Sequence, residues 1–273
     1  MGKKRKNRGL IRYTFLVQAK DNRALLFLYS VLSVLIFSAF LSFMIRRNHH
    51  AAFLSFLSLA LMAIPSFIKA EWKVRIPPVI EALVLFQIVS AEFLGEIYSF
   101  YLKFPFWDCM LHTLSGFVSA SVGLSICFTE VDIREGRRAI PIVFALCFAL
   151  SIGVAWEFIE FGADNIFALD MQKDTVVHSI NTVSLDDARS GAVISFMNIE
   201  RTVVNDLDLG LNGYLDIGLI DTMKDLFMDA IGSILFILAI VISIRRKRLD
   251  AFLSKLLLSQ NKEEDDFRKS NNE

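Results

Sequence analysis

Residues 140–164 read IPIVFALCFALSIGVAWEFIEFGAD. Positions 140–155 carry no charged side chain, and then Glu157, Glu160 and Asp164 arrive within about two helical turns. An apolar run of this length reads as a membrane-spanning helix. An ionisable side chain near the middle of such a helix costs about 2.5–3.5 kcal/mol on insertion scales, so it usually faces protein and serves a function.

The same pattern recurs on both sides of this stretch. WDCMLH places Asp108 and His112 at the start of an apolar run, and DTMKDLFMD places Asp221, Asp225 and Asp229 at the start of another. Six spans are expected over 24–45, 51–68, 77–100, 107–128, 140–161 and 221–244. Each is close to the 17–25 residues that about 30 Å of hydrocarbon requires. The second is the shortest and contains Pro65, which predicts a kink. A mean hydropathy of +0.50 agrees with a polytopic membrane protein.

The formal net charge is zero, yet the basic residues alternate strongly between loops. Lys3, Lys4, Arg5, Lys6, Arg8, Arg12, Lys20 and Arg23 precede the first span. Lys69, Lys73 and Arg75 follow the second, Arg134, Arg137 and Arg138 the fourth, and Arg245, Arg246, Lys247 and Arg248 the sixth. The other loops hold far fewer. The positive-inside rule then places both termini in the cytoplasm, in a multi-pass protein of the plasma (inner) membrane. Beside a span, the N-terminal basic run reads as a topology determinant, and no nucleic-acid partner is expected. The first apolar stretch exceeds a signal-peptide core, so it is counted as a retained span. Cys109, Cys127 and Cys147 lie inside spans at spacings that suit neither a disulfide framework nor a zinc site.

The expected organisation is a basic cytoplasmic segment over 1–23, a five-span block over 24–161, and an extracytoplasmic segment over 162–220. The sixth span over 221–244 and a cytoplasmic tail over 245–273 complete it. Within the outer segment, VVHSINTVSL and AVISFMNIERTVV flank DDARSG as a small β-hairpin would. In the tail, Leu249, Phe252, Leu253, Leu256 and Leu257 share one helical face, which suits a helix lying on the inner membrane surface. NKEEDDFRKSNNE after it has a disordered composition.

This topology brings the acidic helix ends to one side of the membrane. Glu92 and Glu96 close the third span, while Asp108 and His112 open the fourth. Glu157, Glu160 and Asp164 close the fifth, and Asp221, Asp225 and Asp229 open the sixth. At about 1.5 Å per residue, His112, Glu157 and Asp225 each lie roughly 6–8 Å inside the outer boundary, with Asp229 deeper. Spacings of three and four residues keep each set on one helix face. So many carboxylates in a low dielectric require protons, water or a cation.

Asp108, His112, Glu157, Glu160, Asp225 and Asp229 are therefore the candidate metal ligands. His112, Glu157 and Asp225 are also the candidate acid–base groups. Carboxylates with one histidine suit a divalent cation such as Mg²⁺, Mn²⁺ or Zn²⁺. They equally suit a proton relay. Asp108 and Asp221 could instead cap their helices, and Glu92, Glu96 and Asp164 read as interface residues. Trp107 and Trp156 suit an interfacial aromatic belt, and Ser115 and Gly116 suit close helix packing. No phosphate-binding glycine loop, HExxH, GxSxG or dinucleotide fingerprint is present.

The strings FLGEIYSFYLKFPFWDCMLHTLSGF, WEFIEFGAD, MQK and GYLDIGLIDTMKDLFMDAIGS together resemble the YjdF-like bacterial inner-membrane proteins over about residues 81–244. The order D-x-x-x-H, W-E-x-x-E, D-x-x-x-D is more distantly similar to the VanZ-like proteins. The first resemblance implies a multi-spanning architecture and supplies no reaction. It also marks 174–210 as an insertion. Three functions fit these residues: a cation-dependent step on an envelope lipid or lipid-linked substrate, proton- or cation-coupled transport, and an accessory membrane protein with a structural polar layer. Neither an inverted repeat nor a matched pair of broken helices supports transport.

The charge distribution makes a direct prediction. Reporter fusions after Gly136 and after Ser270 should be cytoplasmic, and a fusion within 175–205 should be external. An external reporter at Gly136 would contradict the assignment of the acidic helix ends to one side.

Overall fold

The computed structural model describes residues 22–72, 74–128 and 139–260. The basic stretch up to residue 21, Lys73, the loop with Arg134, Arg137 and Arg138, and the tail from residue 261 lie outside the described residues. Among the described residues, six helices are long and apolar enough to cross a membrane: Arg23–Ile45, His49–Trp72, Pro78–Ile97, Trp107–Cys127, Ala139–Phe167 and Leu219–Arg245. The protein is an all-α integral membrane protein with a long segment between its fifth and sixth spans. Its contacts form two compact units, Met1–Ile152 with Met228–Glu273, and Gly153–Phe227.

In the first unit, α1 (Arg23–Ile45) begins at Asn22, whose side-chain oxygen accepts hydrogen bonds from the N–H groups of Ala24 and Leu25. Arg47, at φ 58°, reverses the chain, and Asn48 caps α2 (His49–Met62) through the N–H of Ala51. The second span then breaks at Ala63 and resumes as α3 (Ile64–Trp72). Pro65, which lacks an N–H for the helical ladder, sits just past that break.

The third span opens as α4 (Pro78–Ile88), with proline in the first turn where a missing N–H costs nothing. It continues through π-helical turns over Val89–Ile97. The short α5 (Phe100–Lys103) leads into α6 (Trp107–Phe128). The Trp107 indole donates a hydrogen bond to the Ser90 carbonyl at 3.1 Å, tying the start of α6 to the π-helical turns.

A polar knot lies within this apolar unit. Glu81 is 1 % exposed and receives Lys69 Nζ on both oxygens at 2.8 and 2.9 Å, and the Tyr29 hydroxyl at 2.9 Å. The pair joins α3 to α4 and Tyr29 adds α1, so three helices are fixed by one neutralised charge.

Ala139–Phe167 forms α7 and Leu219–Arg245 forms α8. The apolar core of the first unit joins Ile80 of α4, Val118, Ala120 and Leu124 of α6, Ala145 and Ala149 of α7, and Phe236 and Ile240 of α8. The tail completes it. The helix α9 (Leu249–Leu256) places Leu253, Leu256 and Leu257 in this core, so its apolar face is covered by protein rather than left for the membrane surface. Polar contacts explain the docking: the Ser121 hydroxyl donates to the Leu256 carbonyl, and the N–H of Leu258 donates to Ser125 Oγ. Strand β1 (Val74–Arg75) pairs antiparallel with the last strand, Ser259–Gln260.

The second unit holds the long outer segment. Val176–Val177 (β2) pairs with Tyr214–Leu215, Ser179–Thr182 (β3) with Ile194–Met197 (β4), and Val203–Val204 with Leu207–Asp208, all antiparallel. Between β3 and β4, Asp186 accepts hydrogen bonds from the Ser190 hydroxyl and from the N–H groups of Ala188 and Ala192. The Ser190 bond leads in holding its carboxyl below the usual range.

Candidate functional site

The site residues of the second unit stand on the end of α7 and the start of α8. Glu157 and Glu160 are three apart and share one face of α7, and Asp225 lies two turns into α8. Their exposures are 4, 8 and 1 %, and each offers one carboxylate oxygen within 4.8 Å of the others. Like charges this close and this dry must be offset by protons or a cation.

Their neighbours are fixed by a chain of donors. The Trp156 indole donates to Glu160 Oε1 at 2.8 Å. Gln172 Nε2 donates to Glu157 Oε2 at 3.3 Å and to Thr222 Oγ1 at 2.5 Å. The loop that carries Gln172 is pinned through its main chain. Asp164 accepts from the N–H groups of Met171 and Gln172, Asp221 from that of Lys173, and Asp216 from that of Thr175. Gly218, at φ 79°, passes so close to Gln172 that a Cβ there would lie 2.7 Å from the glutamine's own. Only glycine fits that turn.

These contacts give separate jobs to acids that look alike in the sequence. Asp164 and Asp221 are staples: they satisfy loop N–H groups, and Asp221 also receives Lys224 Nζ at 2.8 Å. Farther along the loop, burial and the nearby Asp170, Asp216 and Asp164 push the Asp174 carboxyl above its ordinary range.

In the first unit, His112 lies between two acids. Its Nδ1 is 3.5 Å from Asp229 Oδ2, and its Nε2 is 3.7 Å from Asp108 Oδ1. Asp229 is 1 % exposed, and neither of its oxygens accepts a hydrogen bond among the described residues. Both acids lie near the His112 ring, close enough to interact with it electrostatically. Two glycines permit the approach. A Cβ on Gly116 of α6 would collide with the Asp229 carbonyl, and one on Gly232 of α8 would collide with the Thr113 carbonyl. The two backbones therefore touch one turn from His112, as small residues allow.

Glu92 is half-buried and Glu96 exposed on the π-helical turns of the third span. His49 and His50 are exposed at the start of α2, and His178 Nδ1 lies 3.3 Å from the Ile199 carbonyl. Residue type alone gives no signal for Thr222 or Gly232, while Gln172 lies in MQK, one of the strings that carry the family resemblance. Trp156, whose residue type suits an interfacial aromatic belt, also donates its ring N–H to Glu160 Oε1.

A family profile described as "Predicted membrane protein (DUF2238)" matches residues 25–248, and the chain belongs to that family. It is the family to which the YjdF-like resemblance points. No curated protein and no solved structure gave a significant match.

The close glycine contact is testable. Gly232→Ala should destabilise the protein by about 1–3 kcal/mol, the usual cost of overpacking, read as a lower midpoint of thermal unfolding in detergent. Gly162→Ala, where a Cβ meets nothing within 4 Å, should cause no loss. Equal effects at the two positions would contradict the backbone contact.

Proposed function

We propose that this member of the family is a plasma-membrane protein that holds a divalent cation on Glu157, Glu160 and Asp225. The cation would serve a step on an envelope lipid or lipid-linked substrate in the outer half of the bilayer. The observation that carries this reading is the convergence of three buried carboxylates within 4.8 Å. Oxygen ligands of this kind suit a hard ion.

The lysine and arginine distribution supports cytoplasmic termini and hence an outward position for these residues. A bound divalent ion polarises a phosphoryl or carbonyl oxygen and makes bound water more acidic. Burial in apolar helices keeps water scarce and strengthens each of these interactions.

Metal analysis of the purified protein tests the proposal. Wild type prepared with added Mn²⁺ should retain one divalent ion per chain after removal of the excess. Glu157→Gln and Asp225→Asn should lose it while keeping normal abundance, since the amides preserve shape and hydrogen bonding but remove charge. A wild type without metal, or variants that retain it fully, would refute the cation reading. A metal-free wild type that takes up protons on acidification would favour the proton-coupled alternative.

A further inference from the structure

We propose that the segment between α7 and α8 carries a second site, an open groove that binds the saccharide head of a lipid-linked substrate. The lipid link rests on the reading above, whereas the groove is argued from its own chemistry. It has a volume of about 620 Å³, within the range of about 300–1,000 Å³ that small-molecule sites occupy. Residues 196–201 line it from one stretch of chain, and Asp208 with residues 210–212 line it from another, all within the second unit. Thr202 ties the two stretches together. Its carbonyl accepts the N–H of Leu209 at 3.0 Å, and its hydroxyl donates to the Gly213 carbonyl at 2.6 Å.

The ligand class follows from what the lining offers. Among the described residues, the side chains of Asn198, Glu200, Arg201 and Asn212 are engaged by no hydrogen bond or ion pair, although Glu200 and Arg201 are adjacent and oppositely charged. Asp208 accepts the N–H of Gly210 on one oxygen at 2.9 Å. Arg201 can only donate, the ionised acids can only accept, and the two asparagines do both. A hydroxyl also does both, so a neutral ring bearing several of them can satisfy every one of these groups. A phosphate would meet two carboxylates, and a metal ion would meet a guanidinium. A hydrocarbon chain would leave all of these polar groups without partners.

Phe196 and Met197, 46 and 66 % exposed, add an apolar surface on which the C–H face of a sugar ring can pack. A peptide fits less well. Recognition of a peptide by strand addition uses a regular main-chain edge. Here Asn198, at φ 56°, ends the extended path of β4 at the groove, and side chains beyond the strand present the polar groups. The lysine and arginine distribution supports an external position for the groove, on the side where the heads of outer-leaflet lipids lie.

Saturation-transfer NMR on the full-length protein in nanodiscs tests this inference, with trisaccharides of glucose, galactose, mannose and N-acetylglucosamine as probes. Wild type should bind at least one of them. Glu200→Ala and Asn212→Ala should each weaken that binding roughly tenfold, the loss expected for one or two hydrogen bonds. Asp187→Ala, exposed and outside the groove, should leave it unchanged. All three side chains are exposed, so the midpoint of thermal unfolding should stay the same, which separates lost binding from lost fold. The lipid-linked form of the bound sugar, placed in the same nanodisc, should compete with the free one. Absence of competition overturns the lipid link and leaves a site for soluble saccharides. Wild type that binds none of the four sugars, or that binds inorganic phosphate or trialanine with the same sensitivity to Glu200→Ala, overturns the groove and leaves the cation site standing. Sugar binding that persists in a protein shown to hold no metal refutes the cation reading alone.

Discussion

A carboxylate removed from water must be neutralised or paired, and this constraint explains more of the structure than any other. Apolar helices supply the low dielectric, and each buried acid in them is answered locally. Glu81 is answered by Lys69 and Tyr29, Asp221 by Lys224 and a loop N–H, and Asp164 by two loop N–H groups. Asp229 faces His112. Glu157, Glu160 and Asp225 differ in kind, because acids there approach one another. Coulomb repulsion at that separation grows steeply as the effective dielectric falls, so the arrangement needs protons or a counter-charge.

Backbone geometry makes these approaches possible. Gly116 and Gly232 let α6 and α8 touch, which brings His112 to the carboxylate of Asp229. In the other unit, the acids at the helix ends convert the 168–175 loop from a passive connection into a fixed element. Its N–H groups are spent on Asp164, Asp216 and Asp221, and its glutamine side chain then reaches Glu157. The motifs WEFIEFGAD, MQK and DTMKD are thus physically linked. The first and third supply carboxylates, and the second supplies the donors that hold them.

The spans were legible because length, apolarity and charge at the flanks all point the same way for a membrane helix. Both Glu157 and Asp225 were legible as well, since an acid inside an apolar run is conspicuous by itself. Gln172 was not, because a neutral amide in a polar loop carries no such contrast and its role arises from tertiary contacts. The tail shows the same limit: amphipathic spacing identified an apolar face on Leu249–Leu257 but could not say whether lipid or protein covers it. Ser121 and Ser125, two hydroxyls in a fourth span that reads as ordinary membrane sequence, decide for protein. The π-helical turns over Val89–Ile97 were equally silent, since their sequence has the period of an ordinary helix.

The central claim is that Glu157, Glu160 and Asp225 together hold one cation. Crystals grown with Mn²⁺ and measured at the manganese absorption edge test it most directly. The account predicts an anomalous peak at about 2.0–2.3 Å from one oxygen of each of the three residues, the distance range for small divalent ions and oxygen. A fully occupied Mn²⁺ elsewhere in the protein, with these three carboxylates making no contact to it, would contradict the account.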